Sequence, residues 1–252
     1  MPLQRPSGHV ALLTDFGHRD AYVGVMKGAI LRACSTAVLV DLCHEVPPQQ
    51  LAVGGLFLRA AVGHFPPGTV VVAVVDPGVG TARRVLAAHA HELFWLAPDN
   101  GLLGEVLAAA AAAEVRAVDL PHLGIAADSP TFHGRDVFAR VAGWLAGGRY
   151  GFQSLGPRTD DWVRLSVLAG RQVVHVDGFG NLITNVAAAE LRGVRSVRIA
   201  GRTARVVATY GAAAKGELIA LVGSMGLVEV AVAQGSAAAL LGAGWGTEVA
   251  LT

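Results

Sequence analysis

The stretch Thr69 to Val75 reads TVVVAVV and stops against Asp76-Pro77-Gly78. A run of β-branched side chains, apolar at odd and even positions alike, must be buried on both faces, and its breaker ends it at strand length. Such strands belong to sheets covered on both sides. Val10–Leu13, Ala37–Leu42 and Leu93–Leu96 read as further strands of this kind. Between them, helices are predicted around Tyr22–Cys34, over Gln50–Val62 after Pro47-Pro48, over the alanine-rich Leu102–Glu114 and over Asp136–Ala146. Apolar strands alternating with helices predict an α/β domain with a mainly parallel sheet and flanking helices.

From Gly151 to Gly170 the chain is rich in turn residues and keeps no period. The predicted organisation is an α/β domain over residues 1–155, a linker over 156–170 and a second domain over 171–252. In the last part, short strands at Val173–Val176, Arg195–Ile199, Ala204–Ala208, Leu218–Val222, Val228–Val232 and Glu248–Leu251 are separated by Gly and Asn. That pattern predicts a smaller all-β, barrel-like fold.

Composition excludes several classes. Of 252 residues, 53% are hydrophobic and 15% charged, which is the opposite of a disordered chain. The best candidate for a span, Leu102 to Val118, is broken by Glu105, Glu114 and Arg116. It falls short of the roughly 20 apolar residues of a membrane span. Twenty Lys and Arg against 19 Asp and Glu leave no basic surplus to drive nucleic-acid binding. Cys34 and Cys43 lack a metal-ligand spacing, and Met1–Val10 lacks the apolar core of a signal peptide. A cytoplasmic protein is expected.

Polar clusters interrupt the apolar sequence at predicted strand ends, where open α/β sheets place their ligands. In Leu12-Leu13-Thr14-Asp15-Phe16-Gly17, with Asp20 beyond, a carboxylate can take both hydroxyls of a ribose or can cap the next helix. Asp76-Pro77-Gly78-Val79-Gly80-Thr81 carries an Asp seven residues from Arg83 on one tight loop. It lacks the later glycine of a dinucleotide fingerprint. A surface ion pair and a functional pair are both compatible with that spacing. Thr131-Phe132-His133-Gly134-Arg135-Asp136 sets a histidine at a helix start, whereas Pro98-Asp99-Asn100-Gly101 is explained by a plain turn. Asp177-Gly178-Phe179-Gly180-Asn181 is ordinary hairpin chemistry, yet it also exposes an aromatic beside an amide that suits an adenine ring. Gly223-Ser224-Met225-Gly226 and Glu229 form a last polar island.

Taken in order, LLTDFG, DLCHEVPPQ, FPPGTVVVAVVDPGVGTARR, APDNGLLG, TFHGRD, DGFGNLITN and GSMGLVEVAVAQG resemble one family from Leu12 to Gly235. This is the S-adenosylmethionine hydroxide adenosyltransferases, related to enzymes that fluorinate or chlorinate the same substrate. The resemblance implies a hydrolase that forms adenosine and methionine from S-adenosylmethionine, without cofactor or metal, in a homotrimer with sites between subunits. It assigns the handling of water to Asp76, Arg83 and His133. It also assigns the ribose to Asp15, the adenine to Phe179 and Asn181, and the methionine end to Asp20, Asp177 and Ser224, with Glu229 as an addition. In the halogenating relatives tyrosines stand at the Asp76 and His133 positions, which favours water over halide here. A halogenase and a non-catalytic adenosine-binding module are the alternatives.

Overall fold

Six strands of the first half lie side by side in one sheet in a computed structural model that describes residues 4–165 and 170–252. They are β1 (His9–Thr14), β2 (Val38–Cys43), β3 (Val70–Val74), β4 (Val85–Ala90), β5 (Leu93–Pro98) and β6 (Ala113–Ala117), in the order β2-β1-β3-β5-β4-β6. Alternate residues explain the continuous apolar runs. Val10, Leu12, Val70 and Val72 pack with Met26 and Ile30 of α1 (Tyr22–Ala33) and with α4 (Ala139–Ala146). Ala11, Leu13, Val71 and Ala73 pack on the other face with Val53 and Leu58 of α2 (Leu51–Ala61) and Val106 of α3 (Gly104–Ala108). Burying each Val or Leu side chain contributes about 1.5–3 kcal/mol, so the strands are held from both sides.

The sheet is mixed, which corrects the expectation of a mainly parallel one. β1 pairs in parallel with β2 and β3, and β3 with β5, but β4 runs antiparallel to both β5 and β6. The cause is the two-residue link between β4 and β5. His91 and Glu92 both hold positive φ, 54° and 62°, the turn that joins neighbouring antiparallel strands. Such turns favour Asn and Gly, so His-Glu conceals this one. The helix expected over Leu102–Glu114 is likewise shorter. α3 ends at Ala108, and Ala113–Ala117 becomes β6, because the free edge of β4 takes a partner there. The alanines in between, residues 109–112, form the bend that links α3 to β6.

The described chain divides into two compact units, Met1–Leu165 and Ser166–Thr252. Residues 157–159 belong to the first: the Pro157 carbonyl accepts from Ala117 N–H, and Thr159 N–H donates to the Val115 carbonyl. The second unit is a seven-stranded sheet in the order β13-β9-β10-β11-β12-β8-β7. Its members are β7 (Val173–Val176), β8 (Leu182–Ala187), β9 (Ser196–Ile199), β10 (Arg202–Val206), β11 (Leu218–Val222), β12 (Leu227–Val232) and β13 (Val249–Leu251), with one short helix, α5 (Ala237–Leu241). The sheet curls until its outer edges meet at an isolated antiparallel bridge between Gln172 and Glu248. Val173, Leu182, Val197, Ile199 and Val230 fill the concave side. Among the described residues no helix is long and apolar enough to cross a membrane.

Candidate active site

β1 and β3 are parallel neighbours with Thr14 opposite Val74, so the segments that follow them leave the sheet at the same edge. The connection from β1 runs through α1 on one face, and that to β3 through α2 on the other. The carboxyl ends of β1 and β3 therefore flank a point where the winding reverses, the usual ligand position in such sheets. Asp15 follows β1, and Asp76 follows β3.

Asp76 meets Arg83 across its loop. Arg83 Nε donates to both carboxylate oxygens at 3.0 Å, and Nη2 donates to Oδ2. Arg83 Nη2 also lies 2.9 Å from His133 Nδ1. These three residues, far apart in the sequence, are thus one hydrogen-bonded group. The Arg83 and Asp76 side chains are only 9% and 5% exposed, which sets them apart from a solvated surface ion pair. A guanidinium can only donate, so Nδ1 accepts and the neutral ring carries its proton on Nε2. Burial, together with the Arg83 charge, lowers the His133 pKa, while Asp76 and Asp136 oppose the shift. The ring of Phe138 lies 5.5 Å from the Arg83 guanidinium carbon.

Local geometry holds the group together. Gly80 has φ +79°, and a Cβ there would come within 2.7 Å of the Pro130 carbonyl oxygen. Only glycine lets the Asp76 loop lie against the segment that leads into His133. That segment continues as a turn of π-helix, Gly134–Phe138, before α4. The loops are also joined by rings, since Phe132 packs edge-on against Phe16 and Tyr22.

Pro98-Asp99-Asn100-Gly101 does more than turn the chain. Asn100 Nδ2 donates to the Val75 carbonyl at 2.9 Å and Oδ1 accepts from Leu102 N–H, so Asn100 braces the backbone just before Asp76. Asp99 is buried and accepts from Arg84 Nε and from Val163 N–H. Arg84 is therefore committed to Asp99 while Arg83 faces Asp76. The position of PDNG at a strand end was the available sequence cue.

Of the remaining predicted residues in this unit, Asp15 accepts the Gln49 N–H through Oδ2 at 3.0 Å, and Asp20 is exposed in the turn before α1. Ala21 stands at the N-cap of α1 and offers its backbone N–H groups no side-chain acceptor, and Asp15 lies outside that helix.

In the second unit, Asp177 organises its own turn. Its Oδ1 accepts the N–H groups of Phe179 and Asn181, and its Oδ2 accepts from Asn181 Nδ2, each at 2.9 Å. Asn181 is buried and Phe179 is 82% exposed. Gly180, at φ +81°, packs against Ser236 so closely that a Cβ would lie 2.1 Å from its Oγ. Glu229 is buried and accepts the Tyr210 hydroxyl. Burial raises the Glu229 pKa and Asp177 adds to the rise, against the Tyr210 bond. Tyr210 is held above the ordinary phenol range by burial and by Glu229. No sequence pattern singled out Tyr210. Ser224 is exposed between β11 and β12. Among the described residues no three His, Cys, Asp or Glu side chains are grouped as a metal site.

The family model described as SAM hydroxide adenosyltransferase N-terminal domain matches residues 10–156, and its C-terminal counterpart matches residues 171–250. A protein of Salinispora tropica named (R)-S-adenosyl-L-methionine hydrolase is 40% identical over 98% of this chain and 98% of its own length. A protein of the same name from Thermus thermophilus is 39% identical over 96% of this chain and 98% of its own. The crystal structure of an uncharacterized conserved protein from Thermotoga maritima superposes with a TM-score of 0.89 at 33% identity, covering 96% of this chain and all of that one.

Proposed function

This chain belongs to the SAM hydroxide adenosyltransferase family, and on that premise we propose that it hydrolyses S-adenosyl-L-methionine to adenosine and methionine. The observation that carries the reading is the nearly buried Asp76–Arg83 pair at the carboxyl end of β3, hydrogen-bonded to the half-buried His133.

In the proposed reaction a water oxygen attacks C5′ of the ribose in line with the C5′–S bond. The new C–O bond forms as the sulfonium leaves with its electron pair as a neutral thioether, and one proton is released. The sulfonium needs no acid, so the protein's task is the poor nucleophile. Asp76 takes the water proton, since a carboxylate keeps acceptor sites beyond those used by Arg83. Arg83 stabilises hydroxide character by its fixed charge. His133, with Nδ1 occupied, orients the water as a donor from Nε2. In this reading Asp15 takes the ribose hydroxyls, Phe179 stacks on adenine and Asn181 bonds its edge. Asp20, Asp177 and Ser224, with Glu229, receive the methionine end.

The proposal includes a cytoplasmic homotrimer in which the two halves of each site come from neighbouring subunits. The free thiols of Cys34 and Cys43 fit a reducing compartment. The names of the relatives support the (R) sulfonium epimer as substrate.

Incubation with each epimer, followed by chromatography, tests the reading. Adenosine and methionine from the (R) epimer are expected. A chloride- or fluoride-dependent halogenated nucleoside would replace it with halogenation, and binding without any product would reduce the protein to a binding module.

A further inference from the structure

Thr14 ends β1 one residue before Asp15 and is fully buried. Its hydroxyl lies 2.8 Å from His44 Nδ1 and accepts the Phe16 N–H. His44, itself 1% exposed, presents Nε2 to Asp41 Oδ1 at 3.0 Å, and Asp41 Oδ2 takes the Lys27 ammonium at 2.7 Å. Neither the sequence motifs nor the proposed chemistry gives this chain, buried at Thr14 and His44 and open at Asp41 and Lys27, a task.

Every hydrogen in it has a determined direction. The Asp41 carboxylate can only accept, so His44 donates from Nε2. Burial holds His44 neutral, with Lys27 and the nearby His18 acting in the same sense and Asp41 against it. Nδ1 is then a bare acceptor, and the Thr14 hydroxyl must donate to it. The main chain follows the same route. Gly17 N–H donates to the His44 carbonyl at 2.7 Å, and Gln49 N–H, where φ is +64°, donates to Asp15 Oδ2. The loop that carries Asp15 is therefore tied to the loop after β2 on both sides of the carboxylate.

We propose that Thr14 and His44 are positioning residues that aim the Asp15 carboxylate at the hydroxyl pair of a ribose. This rests on the reading of Asp15 as the ribose ligand. The test compares the affinity of adenosine with that of 2′,3′-dideoxyadenosine, which has no hydroxyl pair, in the wild type, Thr14→Val, Thr14→Ser and Asp41→Asn. Thr14→Val keeps the shape and removes the hydroxyl. It should cut the preference for adenosine by roughly 10-fold, the size of one lost hydrogen bond to a charged group. Dideoxyadenosine affinity should stay constant, and KM for the sulfonium substrate should rise more than kcat falls.

Thr14→Ser should restore the preference. Asp41→Asn, on a half-exposed side chain that perturbs folding less, leaves one amide oxygen where Lys27 and the imidazole each had a carboxylate oxygen. It should reduce the preference in the same direction. A preference unchanged in both Thr14→Val and Asp41→Asn would overturn the proposal, as would equal loss of both nucleosides. A wild type that does not distinguish the two nucleosides would instead overturn the ribose reading of Asp15, and this proposal with it.

Discussion

At the residue scale, the chemistry rests on a guanidinium that serves two masters. Arg83 neutralises Asp76 and fixes the tautomer of His133, so removing it leaves a buried carboxylate unpaired and a histidine free to turn. Arg83→Ala and His133→Ala are each expected to lower turnover by ~10²-fold or more while nucleoside binding persists, as for lost proton handling and charge stabilisation. Steady-state kinetics beside calorimetric titration with adenosine checks this, and full turnover in either variant would remove that residue from the water site. Asp76 and Arg83 could be paired from sequence because one short loop holds both. His133 is 50 residues further on, and nothing local in the chain announces that contact. The aromatic group of Phe16, Tyr22 and Phe132 is similarly a product of the fold, as is the Tyr210–Glu229 bond.

At the element scale, what could be read from the sequence depended on how little each segment owed to distant partners. The buried strands His9–Thr14 and Val70–Val74 and the helix Tyr22–Ala33 carry their own periodicity and stop signals. β8 was hidden because Thr184 and Asn185 look like loop residues. In fact Thr184 is fully buried and donates its hydroxyl to the Val228 carbonyl at 2.7 Å. The alanine run was misleading for the converse reason: residues 109–112 have helix propensity, yet they form the bend that delivers the next residues to the β4 ladder. Asn100 belongs to this scale because it joins two elements. Asn100→Ala leaves the Val75 carbonyl and the Leu102 N–H without their side-chain partners, at a cost of about 1–3 kcal/mol. A lower urea midpoint together with reduced kcat is expected. Unchanged kcat in a destabilised variant would show that the Asp76 loop does not depend on this brace.

At the scale of the whole molecule, four histidines (His44, His89, His133 and His175) have pKa values lowered first of all by burial. Their contribution to stability is complete above the unfolded value near 6.5 and is lost as pH falls below it, because the unfolded chain then takes up protons that the folded chain refuses. For His44, which is almost fully buried, the loss sets in as the pH falls below that value. Urea midpoints should therefore drop between pH 7 and pH 5.5, before the carboxylates titrate. A midpoint that holds constant or rises over that interval would contradict the burial of these rings in the neutral form.

The meeting of Gln172 with Glu248 has a consequence for how the second unit can be handled. Arg171 and Val249 exchange a main-chain hydrogen bond there, as do Val173 and Thr247, so this sheet starts and finishes at one seam. A short linker could join the two ends, and new termini could be opened at an exposed hairpin such as that of Ala200 and Gly201, without breaking a ladder.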